Sequence, residues 1–262
     1  MNIGPIKDIF QWKKDVSMEI SNRKVIASVS GGKDSLAMAL LLKEAGIPFE
    51  SIFVDTGWEH DCTIEYVMDY LPRFIGPIKV LKGNSGGMVG LIRKMGYFPG
   101  PKTRFCTQKL KLDPVQKYFE TLDIEPVSTV GIRAQESFSR SQNPMWEYSS
   151  EMKCDVWRPI LDFSEEDVIE LIKRHNCRPN PLYLLGAKRV GCWPCIFASK
   201  SDIRLLHKED PERIDIISDL EVELTNKWKR TDQGNKPITW FYRNQPIPIQ
   251  KAVDWAHNDQ SP

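Results

Sequence analysis

Apolar and polar positions along the 262-residue chain fall into two kinds of block. Short runs rich in β-branched residues, Lys24-Val25-Ile26-Ala27-Ser28-Val29-Ser30 and Ser51-Ile52-Phe53-Val54-Asp55, predict buried strands. Between them, Asp34 to Gly46 is dense in Leu, Ala and Met and closes on a glycine, as helices do. Helices over 61–71 and 112–121, and strands over 77–81 and 126–132, continue the alternation. Such alternation predicts an α/β fold: a doubly wound, mostly parallel sheet covered on both faces, with ligands at the carboxyl ends of its strands.

After Arg140 the pattern loosens. Ser141–Ser150 is polar, interrupted by Pro144, and reads as a mobile loop; Trp157–Leu161 reads as a last short strand. Ser164-Glu165-Glu166-Asp167 has the capping-box pattern that opens a helix. Helical patterning returns at 199–208 and 211–229, and 231–262 reads as an irregular tail packed on the body. The chain thus divides into an α/β domain over 1–175 and a region over 176–262 that holds a Cys-x-x-Cys segment and helices.

Composition narrows the function classes. Thirty-six Lys and Arg against 35 Asp and Glu give a net charge of +1, so any polyanion site must be a local patch rather than a global field. The N-terminus lacks the apolar core of a signal peptide, and no apolar run approaches the roughly 18 residues of a membrane span. A cytoplasmic protein without membrane contact is expected. In a reducing compartment its six cysteines read as thiols, metal ligands or catalytic sulfur.

The strongest chemical signal is Ser28-Val29-Ser30-Gly31-Gly32-Lys33-Asp34-Ser35, set between a predicted strand and helix. Glycines let backbone N–H groups approach an oxyanion, the helix N-terminus adds positive potential, and Ser30, Lys33 and Ser35 suit phosphate. Asp55, where the second strand ends before Gly57, suits Mg²⁺, a ribose or a simple helix cap. Arg133 and Arg140, beyond Gly131 at a strand end, suit a bidentate phosphate clamp. Arg104, Lys109 and Lys111 bring positive charge to Cys106, which favours its thiolate. Cys192 and Cys195 suit a Zn²⁺ or Fe–S site, or a redox or persulfide pair.

The loop Ser30-Gly31-Gly32-Lys33-Asp34-Ser35 resembles that of the N-type ATP pyrophosphatases, which cleave ATP between the α and β phosphates and adenylylate an acceptor. Four further stretches resemble the phosphoadenosine-phosphosulfate reductase-like branch: Val54–Glu59, Arg104–Lys111, Gly131–Ser137 with Arg140, and Pro181-Leu182-Tyr183 leading to Arg189–Cys195. Together they cover residues 24 to 200 in family order. The resemblance implies ATP and Mg²⁺ held by Ser28, Ser30, Gly31, Gly32, Lys33, Asp34, Ser35, Asp55, Gly57, Gly131, Arg133 and Arg140. Lys33, Asp34, Cys106 and Arg133 are the implied catalytic set. It also implies Cys106 as a third ligand beside Cys192 and Cys195 for a [4Fe-4S] cluster or Zn²⁺, with Cys154 as a candidate fourth.

Three departures set the chain apart from sulfate reduction. No cysteine follows Cys195, a single cysteine stands at 106, and the phosphate loop is intact. They point to relatives that activate nucleic acid for sulfur insertion, foremost the ATP-pyrophosphatase subunits of DNA phosphorothioation systems. The implied partners are a cysteine desulfurase as sulfur donor and a nucleic acid, DNA ahead of tRNA. A sulfonucleotide reductase, a tRNA-thiolating enzyme and a non-catalytic nucleotide-binding module are the alternatives.

Overall fold

The computed structural model describes residues 4–83, 85–229, 237–243 and 245–258. Six strands form one sheet: β1 (Lys24–Ser28), β2 (Glu50–Asp55), β3 (Ile78–Lys82), β4 (Pro126–Val130), β5 (Trp146–Ser149) and β6 (Cys154–Trp157). Their spatial order is β3-β2-β1-β4-β6-β5, all parallel except β5, which runs antiparallel to β6 at the edge. The chain builds outward from β1 through β2 to β3, then returns to place β4 on the other side of β1. That reversal makes β1 and β4 the switch point, where a crevice opens at the carboxyl ends of the strands.

Helix α1 (Ile9–Ile20) precedes the sheet, capped by Asp8, whose carboxylate accepts from the Phe10 N–H at 2.9 Å. Helix α2 (Lys33–Glu44) follows β1 and is buried from Ser35 to Leu42 without a break. A helix apolar on every side must be enclosed on every side. It lies in the core with Val25, Ala27, Leu171 and Ile172, the last two from the helix Glu165–Arg174. That later helix opens on the predicted capping box, Ser164 Oγ accepting from Asp167 N at 3.0 Å and Asp167 accepting from Ser164 N at 2.7 Å.

Two expectations for the loose region are corrected. Trp146–Ser149 is the edge strand β5 rather than a loop, and the last parallel strand is Cys154–Trp157 rather than Trp157–Leu161. The physical link is aromatic: Trp146 stacks on Trp157 across the strand pair at 4.8 Å, and Trp157 stacks on Trp12 of α1 at 5.7 Å. Pro159 then ends the strand, since a proline has no N–H for a ladder. Two helices absent from the sequence reading, α1 and Gly87–Met95, complete the covering layers.

A second hydrophobic cluster joins Trp58, Leu91 and Phe98 to Trp193, Leu206, Ile217, Trp240 and Ala256. It draws on both sides of residue 175, so the α/β body and the C-terminal helices share a core. The tail read as irregular contains a hairpin (Phe241–Arg243 with Gln245–Ile247) and the helix Ile249–His257; 231–236, 244 and 259–262 lie outside the described residues. Among the described residues no helix is long and apolar enough to cross a membrane.

Candidate functional site

The loop after β1 is shaped by two contacts. Gly31 has φ +76°, and a Cβ there would meet Thr63 Cγ2 at 2.8 Å, so only glycine lets the loop lie against the helix that begins at Asp61. Gly131, leaving β4, would place a Cβ 2.6 Å from Ser35 Cα and 2.7 Å from the Asp34 carbonyl. The β4 exit therefore touches the first turn of α2, closing the switch-point crevice from below.

Hydrogen bonds fix the loop internally. Ser35 Oγ donates to the Gly32 carbonyl at 3.0 Å and accepts from the Ser30 N–H at 3.1 Å. Helix α2 starts at Gly32 with no side-chain cap. The Lys33 N–H donates to the Tyr183 hydroxyl at 3.1 Å, and no described group accepts from the Asp34 or Ser35 amide. Uncapped amides at a helix start form an anion site.

A cavity of about 370 Å³ sits over this turn, lined by Ser30, Gly32, Lys33, Asp34, Ser35, Gly131, Arg133, Glu136, Arg140, Glu165, Tyr183, Lys188 and Arg189. Five cations therefore face three carboxylates. Arg133 Nε bonds Asp34 Oδ1 at 2.5 Å, Lys33 Nζ lies 3.3 Å from Glu165, and Arg140 pairs with Glu136. Lys188 and Arg189 are exposed and have no carboxylate partner among the described residues. The surplus is positive where the amides point. Tyr183, with its phenol pushed up to about 12 by burial, stays a neutral hydroxyl at physiological pH.

Two neighbouring cavities share residues with the first. One, of about 360 Å³, has an apolar wall from Val54, Leu112, Val130 and Ile132 and includes Ser28 and Ser30. The other, of about 240 Å³, is lined by Ser30, Lys111, Arg140, Arg189, Cys192 and Cys195. All three meet at Ser30. The cysteine turn is zipped onto the segment after β2: Trp193 N donates to the Trp58 carbonyl at 2.7 Å, and Trp58 Nε1 donates to the Pro194 carbonyl at 3.1 Å. The Glu59 carboxylate braces that segment by accepting from Thr56 N at 3.0 Å and Thr56 Oγ1 at 2.7 Å.

The sequence candidates separate accordingly. Ser30, Gly32, Lys33, Asp34, Ser35, Gly131, Arg133 and Arg140 line the first cavity; Gly31 shapes its loop and Ser28 lines the apolar one. Asp55 is spent elsewhere: Oδ1 accepts from Gly57 N at 2.8 Å and Oδ2 pairs with Lys82 at 2.8 Å, with Gly57 at φ +63° completing the turn.

The cationic ring expected around Cys106 is not there. Lys109 pairs with Asp113 at 3.0 Å and Arg104 lies over the Phe197 ring. Lys111 instead faces Cys192, whose thiol is pushed up by burial while the Lys111 ammonium pulls the other way. Cys106 packs with Cys192 against the second cluster.

Cys154 is not brought to the pair. It is fully buried in a third cluster with Ile26 and Ile52, its thiol pushed up to about 11 by burial. Among the described residues no three His, Cys, Asp or Glu side chains are gathered as a metal set, and a lysine ammonium occupies the neighbourhood of Cys192. The donor set does not fit a [4Fe-4S] cluster or a Zn²⁺ ion.

Sequence reasoning missed the placement of Tyr183, Glu165 and Glu59. Tyr183 stood in a recognised stretch, but its bond to the α2 amide spans 150 positions and leaves no local signal.

A doubly wound sheet with a glycine loop and a basic cavity at its switch point defines an adenine nucleotide alpha hydrolase-like α/β protein. The phosphoadenosine phosphosulfate reductase domain family matches residues 24–198, and the chain belongs to it. It is 35% identical over 247 residues to an uncharacterised 37.8 kDa protein of Escherichia phage 186, covering 75% of this chain and 74% of that one. It is 23% identical to the adenosine 5′-phosphosulfate reductase of Allochromatium vinosum, over 65% of this chain and 67% of that one. The chain spans 42% and 47% of the length of two uncharacterised relatives from Methanocaldococcus jannaschii. Among solved structures, phosphoadenylyl-sulfate reductase from Candida auris superposes with a TM-score of 0.55 at 17% identity, covering 71% of this chain and 87% of that one.

Proposed function

We propose that the protein is an ATP pyrophosphatase that adenylylates a nucleic-acid acceptor, DNA foremost, for sulfur insertion. The observation that carries the reading is the meeting of three cavities at Ser30: a basic one over the α2 amides, an apolar one, and one holding Cys192 and Cys195. A nucleotide with its β and γ phosphates in the first and its adenosine in the second puts Pα at Ser30, facing the cysteines. Mg²⁺ enters on the phosphates; Asp34 and Glu136 are carboxylates of the same cavity that can complete its oxygen shell.

In the first step an acceptor oxygen, such as a DNA phosphate oxygen, attacks Pα; the Pα–O bond to the β phosphate breaks and pyrophosphate leaves. Lys33, Arg133 and Arg140 are positioned to stabilise charge gathering on the leaving group. In the second, the terminal sulfur of a cysteine persulfide, loaded by a cysteine desulfurase, attacks the activated atom and AMP leaves. The other cysteine of the pair then attacks the persulfidic cysteine's sulfur, releasing the thiolated acceptor and leaving a Cys192–Cys195 disulfide that an external thiol reduces. No step requires a metal cluster.

The test uses α-labelled ATP, Mg²⁺ and duplex DNA or tRNA with the anaerobically purified protein. AMP and pyrophosphate released with DNA, lost in Lys33→Ala, support the reading; ADP and phosphate overturn it. DNA affinity should fall steeply with salt through Lys188 and Arg189.

Kinship with a sulfonucleotide reductase, together with a dithiol turn opening at Ser30, favours a second reading. In that case the thiols attack the sulfate sulfur. Sulfite release from adenylyl sulfate with thioredoxin, without ATP turnover, identifies it.

A further inference from the structure

The apolar cavity has a charge pattern opposite to that of its neighbour. Three carboxylates, Glu59, Glu147 and Glu151, face two cations, Lys111 and Arg158. Neither cation is open to a new anion. Arg158 is 6% exposed, bonded to Glu147 and, through Nη1, to the Pro144 carbonyl at 2.9 Å, with its Nε sealed from solvent. Lys111 lies against Cys192 and Glu59. Glu151 is exposed at the rim with no cationic partner among the described residues.

We infer that this cavity takes an adenine nucleotide whose ribose hydroxyls are free and rejects one carrying a 3′-phosphate, with Glu147 and Glu151 as the specificity-determining residues. The inference rests on the reading above that seats the nucleoside there. A 3′-phosphate brings nearly two negative charges into a pocket of formal charge −1 whose guanidinium and ammonium are already engaged. An unpaired anion pressed among carboxylates is repelled, and no free N–H fork waits to receive it. The neighbouring basic cavity cannot relieve the clash, since the 5′-phosphates occupy it. The chain would thus differ from the 3′-phosphorylated sulfonucleotide reductases that give its family a name.

Calorimetric titration of the intact protein with AMP and with adenosine 3′,5′-bisphosphate tests this, because the two ligands differ only at the 3′ position. AMP is expected to bind at least tenfold more tightly. Glu147→Gln releases the Arg158 charge and should narrow that ratio at least fivefold, and Glu151→Gln, at the exposed rim, should narrow it about twofold with the fold undisturbed. Equal or tighter binding of the bisphosphate, an unchanged ratio in both variants, or no AMP binding overturns the inference. Pyrophosphate release is not read in this experiment. A protein that discriminates between the two ligands yet releases no pyrophosphate refutes the proposed reaction and leaves the discrimination standing.

Discussion

Arg133 Nε lies 2.5 Å from Asp34 Oδ1, tying the exit of β4 to the first turn of α2 through a pair whose side chains are 5% and 16% exposed. Removing one member leaves the other charged in a poorly solvated place. Asp34→Asn should therefore lower unfolding free energy by about 2 kcal/mol, discounted for the partial exposure of Asp34. Arg133→Met should lower it comparably and also reduce nucleotide consumption at least a hundredfold. Denaturant unfolding and pyrophosphate release measure the two effects; unaltered stability in both variants would show that the pair carries no structural role.

Gly131→Ala tests the close approach beneath the cavity. The added methyl would sit 2.6 Å from Ser35 Cα, a backbone atom that cannot rotate away. Strand and helix must separate, at a cost of about 1–3 kcal/mol, and ATP affinity should drop at least tenfold. An alanine variant with full affinity contradicts the packing described.

Tyr183 gives a pH signature. Burial raises its phenol from 10.0 to about 12, so above pH 10 the unfolded chain gives up a proton that the folded chain keeps. Stability that is fully present below that point is lost as pH climbs through about 12. Tyr183→Phe should flatten this alkaline limb while losing about 1 kcal/mol at neutral pH, the worth of the acceptor for the Lys33 N–H. Thermal melts between pH 7 and 11.5 provide the comparison.

The cysteines should react in two classes. Cys154 and Cys177 are buried, and burial raises both thiols, whereas Cys62, Cys106, Cys192 and Cys195 are partly accessible. Brief alkylation followed by mass spectrometry should label residues of the second class and spare Cys154 and Cys177 until the protein unfolds. Chelators should leave the melting temperature unchanged. Native labelling of Cys154 at the rate of Cys106, or a chelator-induced fall in stability, would contradict the arrangement found.

What the sequence made legible followed from local pattern. Strands β1 to β4 and helix α2 declare themselves because buried parallel strands read as apolar runs and the glycine loop interrupts them at a fixed place. The edge strand Trp146–Ser149 does not, since its pairing depends on a tryptophan stack with residues 12 and 157. At the site, Lys33, Asp34 and Arg133 were legible from the loop and the strand end. The turning of Lys111 toward Cys192 was not: the chain from Gln108 to Leu112 winds as a π-helical turn, which alters the helical periodicity by which side-chain directions are read. The same limit made Cys154 a plausible ligand on paper, because spacing along a chain says nothing of which layer of the sheet a sulfur enters.

Because Trp58 and Glu59 clasp the Cys192–Cys195 turn to the sheet on both flanks, those two sulfur atoms are anchored as firmly as the strands themselves. They form an anvil rather than a swinging arm. Whatever molecule is to be worked upon must be carried to them, and freedom of movement in any encounter belongs to the visitor.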